Sequence, residues 1–152
     1  MGQERTLSLV IPAKDEEANI ATLLTEAYGV MRDYHGFEVV LVDDGSTDST
    51  LDTAVRTARA LGGRLLTIRH ERSIGQSGAL ASGIRQARSR LIVTMDGDGQ
   101  NDPADIPAML QKSQHPAQPG FLYCRLSQES QGHRLETLPV PPCEPRAGCA
   151  AS

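Results

Sequence analysis

Phe37-Glu38-Val39-Val40-Leu41-Val42-Asp43-Asp44-Gly45-Ser46-Thr47-Asp48 is a short, branched apolar run that stops at two carboxylates and passes into turn and cap residues. A run of this length with such boundaries reads as a buried strand, and the turn and cap residues after it read as a helix start. Leu51, Ala54, Val55, Ala58 and Leu61 then recur at helical spacing. Working outward, three more runs of the same kind stand at Leu7–Ile11, Leu65–Ile68 and Leu91–Met95. Ile20, Leu23, Leu24, Ala27 and Met31 follow the first run at helical spacing, and Leu80, Gly83, Ile84 and Ala87 follow the third. Apolar strands that alternate with amphipathic helices specify a parallel sheet covered on both faces. The fold class is an open α/β sheet with right-handed crossovers.

The bulk numbers agree with one globular unit. The chain has 152 residues, 39% hydrophobic and 22% charged, enough for a real core. Its net charge is −4 and aromatic residues make up only 3%, which argues against a nucleic-acid partner. Cys124, Cys143 and Cys149 form no metal or disulfide pattern. The earlier part of the chain has no cysteine, which fits a cytoplasmic setting. The longest early apolar run is too short for a signal peptide and runs into charged residues.

Ligands of an open α/β sheet bind at the carboxyl ends of its strands. Acidic clusters stand at three of these ends: Lys14-Asp15-Glu16-Glu17, Asp43-Asp44 and Asp96-Gly97-Asp98. Carboxylates crowded on one rim repel one another unless a cation or donor groups intervene. A divalent metal with oxygen ligands is the simplest expectation. Asp96 and Asp98 are two apart and face the same way in extended backbone, while Gly97 and Gly99 allow close approach to a ligand. Such a pair can hold Mg²⁺ or Mn²⁺ against a diphosphate. Taken by itself the pair reads first as a solvated acidic turn. Ser46 or Thr47 is expected to cap the next helix, with Asp48 and Asp52 favoured by its dipole. His35, His70, His115 and His133 have no metal spacing and read as surface residues or element ends. An EF-hand fails because its sixth and twelfth positions are Asn101 and Pro107, and no glycine-rich dinucleotide loop follows the first strand.

Four segments together resemble family 2 glycosyltransferases: Val10-Ile11-Pro12-Ala13-Lys14-Asp15-Glu16-Glu17-Ala18-Asn19-Ile20, Val42-Asp43-Asp44-Gly45-Ser46-Thr47-Asp48, Gly75-Gln76-Ser77-Gly78-Ala79-Leu80 and Asp96-Gly97-Asp98-Gly99-Gln100-Asn101-Asp102-Pro103. The last is similar to the Asp-x-Asp-x-Gln region of the polyprenyl-phosphate and dolichol-phosphate sugar synthases. The resemblance implies a Rossmann-like GT-A fold and metal-dependent transfer of a sugar from a nucleoside diphosphate to a polyprenyl phosphate. The alternative is a non-catalytic nucleotide-sugar-binding remnant. By resemblance, Pro12, Lys14, Glu16, Val42 and Asp44 line the nucleoside pocket. Asp96 and Gly97 match positions near the ribose and diphosphate, and Asp98, Gln100 and Asp96 match the metal-binding positions. Asp96 and Asp98 are the residues expected to serve the chemistry. The family often has Tyr and Asn where Lys14 and Asp15 stand, which leaves the base open.

The motifs cover roughly residues 6–112. Residues 113–152 hold six of the nine prolines and all three cysteines, and are expected to be irregular or disordered. Back-translated with permitted codons and read one base later, Gly132–Arg146 can give Asp-Thr-Gly-Trp-Lys-Arg-Phe-Gln-Ser-Arg-Leu-Ala-Asn-Arg. That string is similar to a stretch of the lipid-phosphate sugar synthases, so a frameshifted tail and a truncated GT-A domain are expected, with the coding DNA as the test. Loss of later strands would leave the fourth strand with an unpaired edge and favour self-association. Full-length relatives are expected to work at the cytoplasmic face of a membrane.

Overall fold

A computed structural model describes residues 6–89, 91–112 and 122–125. Its elements run β1 (Leu7–Ala13), α1 (Glu17–Val30), β2 (Phe37–Asp43), α2 (Thr50–Ala60), β3 (Leu65–Arg69), α3 (Gln76–Gln86), β4 (Leu91–Thr94), α4 (Asp105–Lys112) and β5 (Leu122–Arg125). The five strands lie in the order β3-β2-β1-β4-β5, and every pairing is parallel. The first four strands and first three helices therefore stand where the apolar periods put them.

Alternation along each strand divides the core between two faces. Leu7, Leu9 and Ile11 of β1 point with Val39, Leu41 and Val93 into the larger cluster, which α1, α2 and α4 cover through Ile20, Leu23, Leu24, Ala54, Ile106 and Met109. Val10, Val40 and Ile92 face the other way, toward Leu80 and Ile84 of α3. There α3 comes very close. A Cβ added at Gly83 would lie 2.4 Å from Val10 Cγ1 and 2.9 Å from Val42 Cγ2.

Glu38 interrupts the apolar run of β2 yet is buried. Ser8 Oγ donates to its Oε1 at 2.7 Å and the Arg88 amide donates at 2.8 Å. The carboxylate thus ties the amino-terminal ends of β1 and β2 to the turn after α3, at the edge opposite the acidic clusters.

Two expectations need correction. Leu122–Arg125, in the segment expected to be irregular, forms β5 and pairs residue for residue with Leu91–Thr94. The sequence run Leu122-Tyr123-Cys124-Arg125 is too short to show a period, so backbone pairing with β4 decides its state. The edge of β4 expected to be bare is consequently covered, and among the described residues the outer strands are β3 and β5. The proposed frameshift segment lies outside the described residues. Before α4, Asp102 accepts the Ala104 amide at 2.8 Å in a turn, and the helix itself starts at Asp105.

Candidate functional site

The carboxyl ends of β1 and β2 stay paired to their last residues, Pro12 with Val42 and Ala13 with Asp43. The Asp44 amide extends the ladder by donating to Ala13 O at 2.9 Å, and the His70 amide does the same to Asp43 O at 2.9 Å. Beside them, the Met95 amide reaches Val10 O at 3.1 Å. The loops that carry Lys14 and Glu16, Asp44, and Asp96 therefore leave neighbouring strands at one edge. Pro12, Val42 and Asp44 are buried, Glu16 is half-buried and Lys14 is exposed.

The rim solves its charge problem mainly with hydrogen-bond donors. Asp15 Oδ1 accepts the Thr47 amide at 2.7 Å and the Thr47 hydroxyl at 3.2 Å. Ser46 Oγ accepts the Asp15 amide at 3.0 Å, and Thr50 Oγ1 accepts the Glu16 amide at 2.8 Å. Asp48 accepts the Thr50 amide at 2.9 Å through Oδ1 and the Glu17 amide at 3.1 Å through Oδ2. The Thr50 hydroxyl also donates to Asp48, and its bond is the leading cause that holds this carboxyl below its ordinary pKa. Ser46 and Thr47 are thus cross-links to the first loop rather than caps. Residue Ser49 takes the N-cap position of α2 without a side-chain bond, while Asp48 stands by the helix start as expected.

Four residues bond to the Asp44 carboxylate. His70 Nδ1 lies 2.7 Å from its Oδ1, Ser73 Oγ donates to Oδ2 at 2.7 Å, and the Gly75 amide donates to Oδ2 at 2.9 Å. The Ile74 amide reaches both oxygens, at 3.0 and 3.2 Å. Burial by itself would raise the pKa of Asp44. The bonds from His70, Ile74, Ser73 and Gly75 outweigh that effect and hold it well below the usual carboxylate range. Its neighbour Asp43 is buried, accepts the Ser46 amide at 2.9 Å through Oδ1, and has Arg69 Nε 3.5 Å from Oδ2.

The Asp96-Gly97-Asp98 loop is seated against the end of β1. A Cβ at Gly97 would stand 3.0 Å from Pro12 O and 3.1 Å from Ala13 Cβ, so glycine permits the close approach. Gln76 Nε2 donates to Asp96 Oδ1, linking the first residue of α3 to the end of β4. The exposed Asp98 accepts the Gln100 amide at 3.0 Å. Among the described residues, no group of three His, Cys, Asp or Glu side chains could hold a metal ion unaided. Of the two means expected to relieve the rim, a cation or donor groups, protein donors serve the first two clusters. Asp96 and Asp98 belong to neither set and stand two residues apart in the third loop. Such a pair fits a cation that takes its remaining oxygens from a substrate phosphate and water.

Several participants were missed in the sequence. His70, read as a surface residue or element end, has a side chain only 15% exposed and is bonded between Asp44 and Ser82. Ser73 and Gln76 likewise become visible only when the β3–α3 loop is folded onto the ends of β2 and β4. The resemblance of Gly75–Leu80 had marked this loop without showing its bonds, and the φ of 88° at Gly75 supplies the turn.

The profile of Glycosyl transferase family 2 matches residues 8–137, past the last of the four motifs. A dodecaprenyl-phosphate galacturonate synthase of Rhizobium johnstonii is 46% identical over 109 residues, which are 71% of this chain and 32% of that protein. An undecaprenyl-phosphate 4-deoxy-4-formamido-L-arabinose transferase of Pseudomonas syringae is 37% identical over 106 residues, 68% of this chain and 31% of that protein. The chain thus spans about a third of the length of the curated relatives it matches. A mannosyltransferase from Pyrobaculum calidifontis, solved in complex with GDP-Man and Mn²⁺, superposes with a TM-score of 0.66 at 25% identity, covering 75% of this chain and 34% of that one. Residues 1–349 of TarS from S. aureus, solved in complex with UDP-GlcNAc, give a TM-score of 0.59 at 26% identity over 70% and 30%. The sheet order, the motif residues and these matches agree: the chain has the GT-A fold and belongs to glycosyl transferase family 2.

Proposed function

We propose that this chain carries the nucleotide-sugar-binding part of a transferase that moves a sugar from a nucleoside diphosphate to a polyprenyl phosphate. The observation that carries the reading is the seating of Asp96-Gly97-Asp98 on the Pro12–Ala13 end of β1, within reach of Gln76. The names of the 46% and 37% identical relatives support the lipid-phosphate acceptor. The nucleotides and Mn²⁺ in the structural neighbours support the donor and a divalent cation.

Pro12, Lys14, Glu16, Val42 and Asp44 are assigned to the nucleoside pocket. Val42 has no exposed surface, so its part is to shape the pocket wall from beneath. Asp96 and Gly97 are assigned to the ribose and diphosphate, and Asp98, Gln100 and Asp96 to Mg²⁺ or Mn²⁺. When bound, the cation neutralises charge on the departing nucleoside diphosphate. In the transfer a phosphate oxygen of the acceptor bonds to the anomeric carbon. The bond from that carbon to the diphosphate breaks, and its electron pair leaves with the nucleotide. The acceptor is already an anion, so the demand for a general base is small and charge control at the leaving group dominates. A lipid acceptor places the work at a membrane surface, here the cytoplasmic face. No described helix is long and apolar enough to cross a membrane.

Calorimetric titration with UDP- and GDP-sugars, with and without Mn²⁺, tests donor binding. Absence of heat under every condition would overturn the reading. Turnover of radiolabelled donor onto a polyprenyl phosphate then separates sugar transfer from donor binding alone.

A further inference from the structure

We propose that His70 is a positioning residue that fixes the Asp44 carboxylate and, through it, the Ser73–Gly75 loop at the mouth of the nucleotide pocket. The placement of that pocket rests on the function proposed above. The loop-setting role does not.

His70 follows the last residue of β3, and its ring bridges two elements. Nδ1 meets Asp44 Oδ1 at 2.7 Å, and Nε2 meets Ser82 Oγ of α3 at 3.1 Å. Arg85 Nη2 lies 3.4 Å from the same hydroxyl. One direction of donation satisfies every atom in this chain: Arg85 donates to Ser82, the Ser82 hydroxyl donates to Nε2, and Nδ1–H donates to Asp44. The bridge matters because Asp44 has two oxygens with about four acceptor sites between them. His70, Ser73, Ile74 and Gly75 supply the donors for these sites. Rotation of the carboxylate would release all of them together. His70 is the donor whose other side is anchored to α3, so it sets the plane in which the others must bind.

Ligand binding inherits this arrangement. With its acceptor sites taken by the protein, Asp44 contributes to the pocket chiefly by holding the Ile74 and Gly75 backbone in place. The exposed side chain of Ile74 and the start of α3, where Gln76 holds Asp96, take their positions from that bond set.

The test uses the full chain with H70A, H70N and H70Q. An asparagine amide nitrogen falls where Nδ1 stands and keeps the donor to Asp44. A glutamine amide reaches the Nε2 position and meets only Ser82. Amide hydrogen exchange is read at Ile74 and Gly75 in the free chain, and UDP affinity is read in the presence of Mn²⁺. Exchange at both amides is expected to accelerate about tenfold or more in H70A and H70Q, with H70N close to wild type. UDP affinity should show the same order, falling about tenfold in H70A and H70Q and recovering in H70N. Unchanged exchange in H70A or H70Q, or equal exchange in H70N and H70Q, overturns the proposal. If H70A fails to fold, the H70N and H70Q pair still decides it. Altered exchange with wild-type UDP affinity overturns the link to the pocket. Failure of the wild type to bind UDP while the exchange order holds rejects the nucleotide reading and leaves the loop-setting role supported.

Discussion

Asp15 Oδ1 and the Thr47 amide lie 2.7 Å apart, joining the loop after β1 to the loop after β2. Asp15 makes this bond from a left-handed backbone conformation, with φ at 54°. Aspartate and asparagine tolerate that region better than other non-glycine residues because their short side chains bond locally. Asp15→Asn is therefore expected to keep both the conformation and the acceptor, and to change stability by less than about 0.5 kcal/mol. Asp15→Ala loses the acceptor while keeping the backbone cost, and should destabilise by about 1–2 kcal/mol. Urea denaturation of the two variants checks this. Equal losses would show that the negative charge, and not the bond, matters.

The bonds at Asp44 predict an acid limb in the stability of the chain. Its folded pKa is depressed, so between the folded and unfolded values the unfolded chain binds more protons. The stabilisation is complete above the unfolded value of 3.8 and is lost as pH falls toward the folded one. Melting temperatures measured below about pH 4 should fall more steeply for the wild type than for Asp44→Asn. At neutral pH the variant should be less stable by about 2 kcal/mol, because a charged acceptor is replaced by a group that brings its own donors. Parallel acid limbs in the two proteins would remove Asp44 as their source.

The sequence carried the strand and helix order because apolar period and burial coincide along β1, β2 and β4. Every residue of β1 and of β2 is buried, including Glu38, whose charge the pattern could not explain. The motif carboxylates were equally legible as residues of the rim. What each carboxylate bonds to was not legible. Asp15 meets Thr47 and Asp44 meets Gly75 across separations of 32 and 31 residues, which only the closed sheet brings together. β5 was missed for the same reason: four residues have no period of their own, and β4 supplies their pairing.

Two glycines in helices should respond in opposite directions to the same change. Nothing lies within 4 Å of a Cβ built at Gly29 of α1, so Gly29→Ala gains helix propensity and should stabilise by up to about 1 kcal/mol. At Gly83 the new methyl would meet Val10 at 2.4 Å and Val42 at 2.9 Å. Both partners are buried in the sheet and cannot swing aside, so α3 must lift from β1 and β2. Gly83→Ala should destabilise by about 1–3 kcal/mol despite its better propensity. Chemical denaturation of both variants measures the difference, and a stabilising Gly83→Ala would mean that α3 packs less tightly than the distances indicate.

Asp98 offers the most direct separation of metal binding from folding. Its side chain is exposed, and it accepts the Gln100 amide within its own loop. Removing such a carboxylate from the surface costs little, so Asp98→Ala should retain wild-type stability to within about 0.5 kcal/mol. If the proposed cation is shared between this carboxylate and the donor diphosphate, Mn²⁺ should raise the UDP affinity of the wild type by about tenfold or more. In Asp98→Ala that enhancement should largely vanish, while the metal-free affinity stays the same because the nucleoside contacts are untouched. Asp96→Asn should weaken both, since Asp96 is also assigned to the ribose and holds the Gln76 amide. Titrations of UDP at several Mn²⁺ concentrations read both quantities at once. An undiminished Mn²⁺ effect in a folded Asp98→Ala would place the cation elsewhere, and with it the diphosphate.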